Sequence, residues 1–238
     1  MPAFGQTTAE EWIAEGVALM NQGEYNETLQ ALDNAIQLDP QDADAWYNKG
    51  RVLGIKGSYD EAIKAFDKAI EINPRFAQAW YNKGNVLMNL RDYDGAVQAY
   101  DKSHKLSPPG LAYTWYYEGI ALDKLGKYEE AIQAYDEAIG ITQQMADKSE
   151  LIAAGKYINP SGQMWNAKGL ALQALGRNTE AQAAFAKAKE LGYGPASISQ
   201  DGNNSLKAAS VPSPSSRKTA AERFAELNKI KKNDTKQI

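Results

Sequence analysis

Cysteine is absent from all 238 residues, and histidine occurs only once, at position 104. Without cysteine the chain can form no disulfide, no thiolate metal site and no cysteine nucleophile. One histidine without cysteine makes neither a metal site nor a catalytic triad, so His104 is predicted to be an ordinary residue at the surface or the core edge. The sequence also has no phosphate-binding glycine loop and no G-x-S-x-G motif. We therefore expect no catalysis, no metal and no cofactor.

Long apolar runs are also missing. No stretch approaches the roughly 18 residues that cross a bilayer, and the N-terminal MPAFGQTTAEE lacks the basic and apolar regions of a signal peptide. We expect a soluble cytoplasmic protein, or an exported one if the natural start lies upstream of Met1. The net charge of −4 argues against a nucleic-acid partner. An apolar content of 43 % is nevertheless sufficient for a buried core.

The sequence does contain a repeat. The hexapeptide AWYNKG occupies 45–50 and recurs at 79–84, and looser copies surround the other three tryptophans. The tryptophans are spaced by 34, 34, 35 and 50 residues: Trp12, Trp46, Trp80, Trp115 and Trp165. With tryptophan placed fourth, the predicted units are 9–42, 43–76, 77–110, 112–145 and 162–195. A fixed period of this length is the signature of a repeat architecture.

Each unit is predicted to be a helical hairpin. In the second unit an apolar stripe at helical spacing is broken by Lys56-Gly57-Ser58, a second stripe follows, and Asn73-Pro74 ends it. Small residues recur at position 8 (Gly16, Gly50, Gly84, Gly119 and Gly169) and at position 20 (Ala62, Ala96, Ala131 and Ala181). Because glycine destabilises a helix interior, this register indicates a close helix crossing, with aromatic rings filling the space around it.

Tryptophan at position 4, glycine at 8, tyrosine at 17, alanine at 20, an aromatic at 24 and a closing proline resemble the tetratricopeptide repeat. The resemblance implies an all-α, right-handed α-solenoid of five hairpins. One departure is at position 7, where leucine is usual and this chain has Glu15, Lys49, Lys83, Glu118 and Lys168. We expect these long side chains to lay their stems on the packed surface and to keep their charges in water.

Four segments flank or interrupt the array. Residues 1–8 are an N-terminal extension, and 146–161 are an insertion that either lengthens the second helix of unit four to near Gly155 or displaces the fifth hairpin. Residues 196–216 are predicted to be a flexible linker, and 217–238 a tethered basic C-terminal helix. This last segment carries a net charge of +4, which leaves −8 on residues 1–216. Docking of the helix on the array is one hypothesis, and a mobile tail is the other.

The resemblance also implies a function, because the first helices of such repeats line a concave surface that receives peptides. Position by position, the groove is predicted to include Tyr47, Asn48, Arg51, Gln78, Tyr81, Asn82, Asn85, Tyr113, Tyr116, Tyr117, Asp123, Lys124, Gln163 and Asn166. Asparagine can both donate to and accept from a peptide backbone, and tyrosine supplies rigid contact area. Alternatively, Tyr47 and Tyr81 only pack between neighbouring helices.

The expected function is therefore non-catalytic binding of a protein or peptide by a scaffold or adaptor. The known carboxylate clamp of some relatives is not expected, because only Asn48 matches its pattern among the corresponding residues Ile13, Val17, Asn48, Gln78 and Asn82. A second hypothesis is a structural role, in which the ends of the solenoid stack into a homo-oligomer. The absence of a polar cap after unit five favours it.

Overall fold

The computed structural model describes residues 7–106, 112–147 and 161–193. Within these ranges the chain forms ten α-helices and no strand. In chain order the helices are α1 (Ala9–Gln22), α2 (Tyr25–Leu38), α3 (Ala43–Lys56), α4 (Tyr59–Ile72), α5 (Ala77–Asn89), α6 (Tyr93–Leu106), α7 (Ala112–Lys124), α8 (Tyr128–Asp147), α9 (Ser161–Ala174) and α10 (Asn178–Glu190).

The helices pair into five antiparallel hairpins that stack in chain order. Each odd-numbered helix packs on the helix that follows it, and each second helix of a hairpin packs on the first helix of the next one. The buried core consequently runs along the whole stack as a series of clusters, because a two-helix hairpin cannot cover its own apolar face. The prediction of an all-α solenoid of helical hairpins is confirmed.

The insertion before the fifth hairpin leaves the stack continuous, since α9 packs against α8. The hydroxyls of Thr142 and Ser161 lie 2.7 Å apart at this joint. The predicted helix extension toward Gly155 lies beyond the end of α8, outside the described residues. The extension 1–8 is described only from residue 7, and the linker 196–216 and the basic helix 217–238 also lie outside.

The turn inside each hairpin needs a left-handed residue. Gly23, Gly57, Gly126 and Gly176 supply it, with φ between 73° and 83°. In the third hairpin the same place is taken by Arg91, whose φ of 62° makes it the one non-glycine residue with positive φ among those described. A side chain in this conformation costs about 1–2 kcal/mol, because Cβ approaches the following carbonyl oxygen.

We expect Arg91→Gly to stabilise the array by up to about 1 kcal/mol, because relief of this strain exceeds the added entropy of the unfolded chain. Urea unfolding followed by circular dichroism measures the change. The matched control is Gly57→Arg, which should destabilise the array by a similar amount. A loss of stability in Arg91→Gly would contradict the assignment of strain to this turn.

The glycines at position 8 lie directly against the side chain at position 24 of the same hairpin. A Cβ on Gly50 would come within 2.7 Å of the Phe66 ring, and one on Gly84 within 2.6 Å of the Tyr100 ring. In the first hairpin the opposing residue is Leu32, which leaves 3.1 Å to Gly16. The close crossing predicted from the glycine register is therefore filled by the side chain at position 24, an aromatic ring in hairpins two to five and Leu32 in hairpin one.

An ion pair of the same kind occurs at three of the four joints between hairpins. A lysine at position 7 reaches the aspartate at position 25 of the preceding hairpin and lies over its own tryptophan. The pairs are Lys49–Asp33 at 2.6 Å, Lys83–Asp67 at 2.5 Å and Lys168–Asp136 at 2.5 Å, with the ammonium groups 5.2–5.4 Å from the ring centroids of Trp46, Trp80 and Trp165. The lysine stems lie on the packed surface as expected.

The remaining joint, between α6 and α7, differs from the other three. Position 7 is Glu118, which is only 8 % exposed, so the expectation that this charge stays in water is wrong. Its carboxylate lies 3.1 Å from Nδ1 of His104, while Nε2 of His104 lies 3.4 Å from Asp101. The imidazole stacks on Trp115 at 3.7 Å. At this joint the two residues that face each other, Glu118 and Asp101, are both acidic, and the His104 imidazole lies between them where the other joints have a lysine ammonium group. We call Asp101, His104, Trp115 and Glu118 the histidine joint.

Candidate functional site

The first helices of the hairpins form the inner side of the stack. Besides packing within their hairpins, they contact one another in sequence, α1 with α3, α3 with α5, α5 with α7 and α7 with α9. The closer approach of these helices curves the array toward them. The side chains they present at positions 2, 5, 6 and 9 therefore share one concave face.

Tyr47 begins the aromatic part of this face. Its ring packs between Phe66 and Phe76, with centroid distances of 6.1 and 4.8 Å. Its hydroxyl accepts a hydrogen bond of 3.1 Å from the amide of Asn82 in the next hairpin, and the Arg51 guanidinium lies 5.7 Å from the ring centroid. Burial raises the pKa of the Tyr47 hydroxyl, so it remains protonated and can donate a hydrogen bond.

A larger group of rings follows in hairpins three and four. Tyr81 lies 6.1 Å from Tyr117, which in turn stacks with Tyr113 at 6.4 Å and meets Tyr116 at 5.3 Å. We call these four residues the tyrosine patch. Tyr113 is its most exposed member, with 42 % of its surface accessible. The patch joins two hairpins in one continuous aromatic surface.

Two fully buried tyrosines lie beneath the patch. Tyr100 donates a hydrogen bond of 2.7 Å to the side-chain oxygen of Asn85, and its ring contacts Tyr81 and Tyr117. Tyr135 donates one of 2.6 Å to Asp123 and contacts Tyr116. Burial raises the pKa of the Asp123 carboxyl, although the Tyr135 hydroxyl partly offsets this. Hydrogen-bonded rings in a packed interior hold their positions, so the side chains beneath the tyrosine patch support it rigidly.

The predicted groove residues fall into three sets by burial. Buried ones are Asn48, Asn82 and Asn85; exposed ones are Gln78, Tyr113 and Lys124; half-buried ones are Tyr47, Arg51, Tyr81, Tyr116, Tyr117, Asp123, Gln163 and Asn166.

The asparagines are engaged inside the array rather than at its surface. Asn82 donates to the Tyr47 hydroxyl and also to the Gln78 carbonyl at 3.0 Å, and Asn48 donates to the Asp44 carbonyl at 2.8 Å. Tyr100 and Tyr135 are not among the groove residues predicted from the sequence. The signal for both was the aromatic at position 24, which indicated packing only.

Two classes of site are not found within the described residues. No cluster of acidic and histidine side chains there could hold a metal ion. In the same part of the chain, no helix combines the length and the apolarity that a bilayer crossing requires.

Stacked helical hairpins with a continuous concave face define an α-solenoid repeat protein. The sequence pattern of the tetratricopeptide repeat matches residues 13–75, 56–110, 112–141 and 162–191. The chain belongs to the tetratricopeptide repeat family. Proteins of this family bind protein partners, and the fold is that of an interaction scaffold, typically without catalysis.

Solved structures of MamA share this fold. One MamA crystal structure superposes with a TM-score of 0.64 at 22 % identity, covering 74 % of this chain and 93 % of that one. A structure of MamA from residue 41 to its end, from Desulfovibrio magneticus RS-1, gives 0.66 at 23 % identity, covering 84 % and 99 %. At these identities the likeness concerns the fold alone. Among curated proteins no sequence matches this chain.

Proposed function

We propose that the protein is a non-catalytic scaffold or adaptor that binds an extended peptide segment of a partner protein on its concave face. The tyrosine patch carries the proposal. Tyrosine is enriched at the energetic centres of interfaces, because its ring offers a large apolar area and its hydroxyl offers a hydrogen bond. Here four such rings converge from two hairpins near the middle of the array.

Rigidity of the patch supports the proposal. Binding loses free energy whenever side chains must be ordered on contact, and groups that are already fixed avoid this cost. Tyr100 and Asn85 fix the rings from below in hairpin three, and Tyr135 with Asp123 does so in hairpin four. We assign the buried asparagines to positioning the rings. Direct contact with the peptide is assigned to the tyrosines, Gln78, Arg51 and Lys124, with Gln163 and Asn166 at the far end.

The experiment uses peptides selected by the intact protein from a random-sequence display library. We expect Tyr113→Ala to weaken their binding at least tenfold, because hot-spot residues contribute about 2 kcal/mol or more. Fluorescence anisotropy of labelled peptides measures the dissociation constants. The matched control is Leu90→Ala, because Leu90 is exposed to the same 42 % but lies in the turn after α5, outside helix positions 2, 5, 6 and 9. Selected peptides that tolerate Tyr113→Ala but lose binding with Leu90→Ala would place the site elsewhere.

A further inference from the structure

The two ends of the array are unlike its interior joints. At an interior joint the residue at position 21, such as Ile63 or Val97, packs on the next hairpin. In the fifth hairpin this residue is Gln182, which is exposed, so the end has a polar side chain where the interior joints have an apolar one. Apolar area is nevertheless left open there. Phe185 is half-buried, whereas the ring at its position is fully buried in hairpins two to four.

Among the described residues, nothing covers this face of the fifth hairpin. Its mixture of polar and apolar side chains is typical of an interface that forms reversibly, because permanent interfaces are more hydrophobic. The charged side chains on this face therefore indicate which partner can occupy it.

Charges at two repeat positions indicate the occupant. At the ordinary joints a lysine at position 7 pairs with an aspartate at position 25. The fifth hairpin has Ala186 at position 25 and therefore lacks the acceptor that such a lysine needs. An ordinary hairpin would leave its lysine unpaired on this face.

The histidine joint shows a second pairing rule. There a glutamate at position 7, Glu118, meets a basic side chain at position 28 of the preceding hairpin, His104. Position 28 is otherwise isoleucine in hairpins one, two and four, but in the fifth hairpin it is Lys189, which is exposed. Glutamate at position 7 likewise occurs in only one other hairpin, the first, as Glu15.

Glu15 and Lys189 are thus the two residues that could form this second kind of pair but have no counterpart at a joint of their own chain. They lie at opposite ends of the array. By repeat position, Glu15 and Trp12 correspond to Glu118 and Trp115, which face the preceding hairpin, and Lys189 corresponds to His104, which faces the next one. Glu15 and Lys189 cannot meet within one chain, because four hairpin joints separate them. They can meet when the first hairpin of one copy stacks on the fifth hairpin of another.

We infer that copies of this protein associate head to tail, with Glu15 of one copy paired to Lys189 of the next in the register of the histidine joint. Trp12 then lies under the Lys189 ammonium, as Trp115 lies against His104. This pairing satisfies the charge at each end that has no counterpart within the chain's own joints.

The same contact covers the open face of the fifth hairpin. Phe185 becomes covered by α1, and Gln182 lies at the joint as its polar member. Such a contact joins two different surfaces, so repeating it builds an open filament or a closed ring. The concave face takes no part, so this inference is independent of peptide binding.

Sedimentation velocity of the full chain tests the inference. The average mass is expected to rise with protein concentration and to fall with added salt, since exposed charges are screened. Glu15→Lys and Lys189→Glu should each weaken association roughly tenfold, because like charges then face each other. An equimolar mixture of the two variants should recover association, since each altered end then meets an opposite charge. The double variant should recover it as well.

Matched controls are Glu137→Lys and Lys102→Glu, which reverse exposed charges in the middle of the array and should leave association unchanged. Circular dichroism checks that every variant is folded. An intact chain that stays monomeric up to its solubility limit would overturn the inference, as would a mixture that fails to recover association. If the intact chain is monomeric but a chain lacking 197–238 associates, the C-terminal segment covers the end face and the inference is equally overturned.

Discussion

Gly84→Leu is expected to destabilise the array by about 3 kcal/mol, near the upper end of the usual cost of overpacking a core. Even a single Cβ at Gly84 would lie 2.6 Å from the Tyr100 ring. The ring cannot withdraw easily, because it is fully buried and its hydroxyl is hydrogen-bonded to Asn85. The gain in helix propensity from replacing glycine, about 1 kcal/mol, is too small to compensate. Urea unfolding monitored by circular dichroism measures the loss.

Two comparison variants make this test specific. Lys83→Leu changes the adjacent residue and removes only a partly exposed ion pair with Asp67, so we expect a change within about 1 kcal/mol. Gly16→Ala faces the flexible Leu32 side chain at 3.1 Å, whereas Gly84→Ala faces the fixed ring, so Gly16→Ala should be the milder of the two. Equally mild effects for Gly84→Leu and Lys83→Leu would show that the glycine register is wrong.

The architecture was predictable because the residues that determine it recur at the same positions in each unit of the sequence. Tryptophan spacing gives the period, helix-breaking turns divide each unit, and the small residues mark the crossing. The residue that actually meets the glycine is the aromatic at position 24, as Phe66 does for Gly50. Periodicity identifies the helix face on which a residue lies. In a packed core, the residues that share a buried face are the ones that contact each other, so the core contacts follow closely from the period.

The polar contacts were much less predictable. Asn82 lies on the first helix of its hairpin as expected, yet its amide donates to Tyr47, 35 residues earlier. Repeat position cannot give this, because a hydrogen bond depends on the side-chain rotamer and on the particular neighbour in the adjacent hairpin. The same holds for Glu118. The general expectation for a long charged side chain is solvation, and burial here depends on a histidine in the preceding hairpin. Repeat position was enough to place these residues on the first helices, but it could not give the ring contacts of the tyrosines or the internal hydrogen bonds of the asparagines.

The histidine joint makes a quantitative test of coupling between hairpins possible. His104→Ile installs the residue that hairpins one, two and four have at position 28, and Glu118→Lys installs the residue that hairpins two, three and five have at position 7. Together the two changes rebuild an ordinary joint, with a lysine between Asp101 and Trp115. We expect the double variant to unfold with a free energy within about 1 kcal/mol of the original, because the ordinary joint is compatible with the same backbone.

Each single change should cost more than the pair. His104→Ile removes the imidazole that lies between the buried Glu118 carboxylate and Asp101 and leaves two acidic groups facing an apolar side chain, for which we expect a loss of about 3 kcal/mol. Partial burial acts to raise the pKa of Asp101, but its hydrogen bond with Lys105 and the nearby His104 hold that pKa below its ordinary value, so it stays charged at pH 7. Glu118→Lys places an ammonium against the imidazole, although Asp101 limits the loss to about 1–2 kcal/mol.

The coupling energy of this cycle is the sum of the two single losses minus the small change of the double variant, and it is therefore expected to be about 3–5 kcal/mol, at or above the upper end of the range for contacting residues. Urea unfolding of the four proteins at pH 7 gives it directly. The matched control is the double variant Ile70→His with Lys83→Glu. It builds a histidine joint between hairpins two and three, where Asp67 corresponds to Asp101. It should show coupling of the same sign. Additivity within about 0.5 kcal/mol at both joints would mean that the charges at positions 7, 25 and 28 do not act together, and the pairing rule that places Glu15 against Lys189 would lose its physical basis.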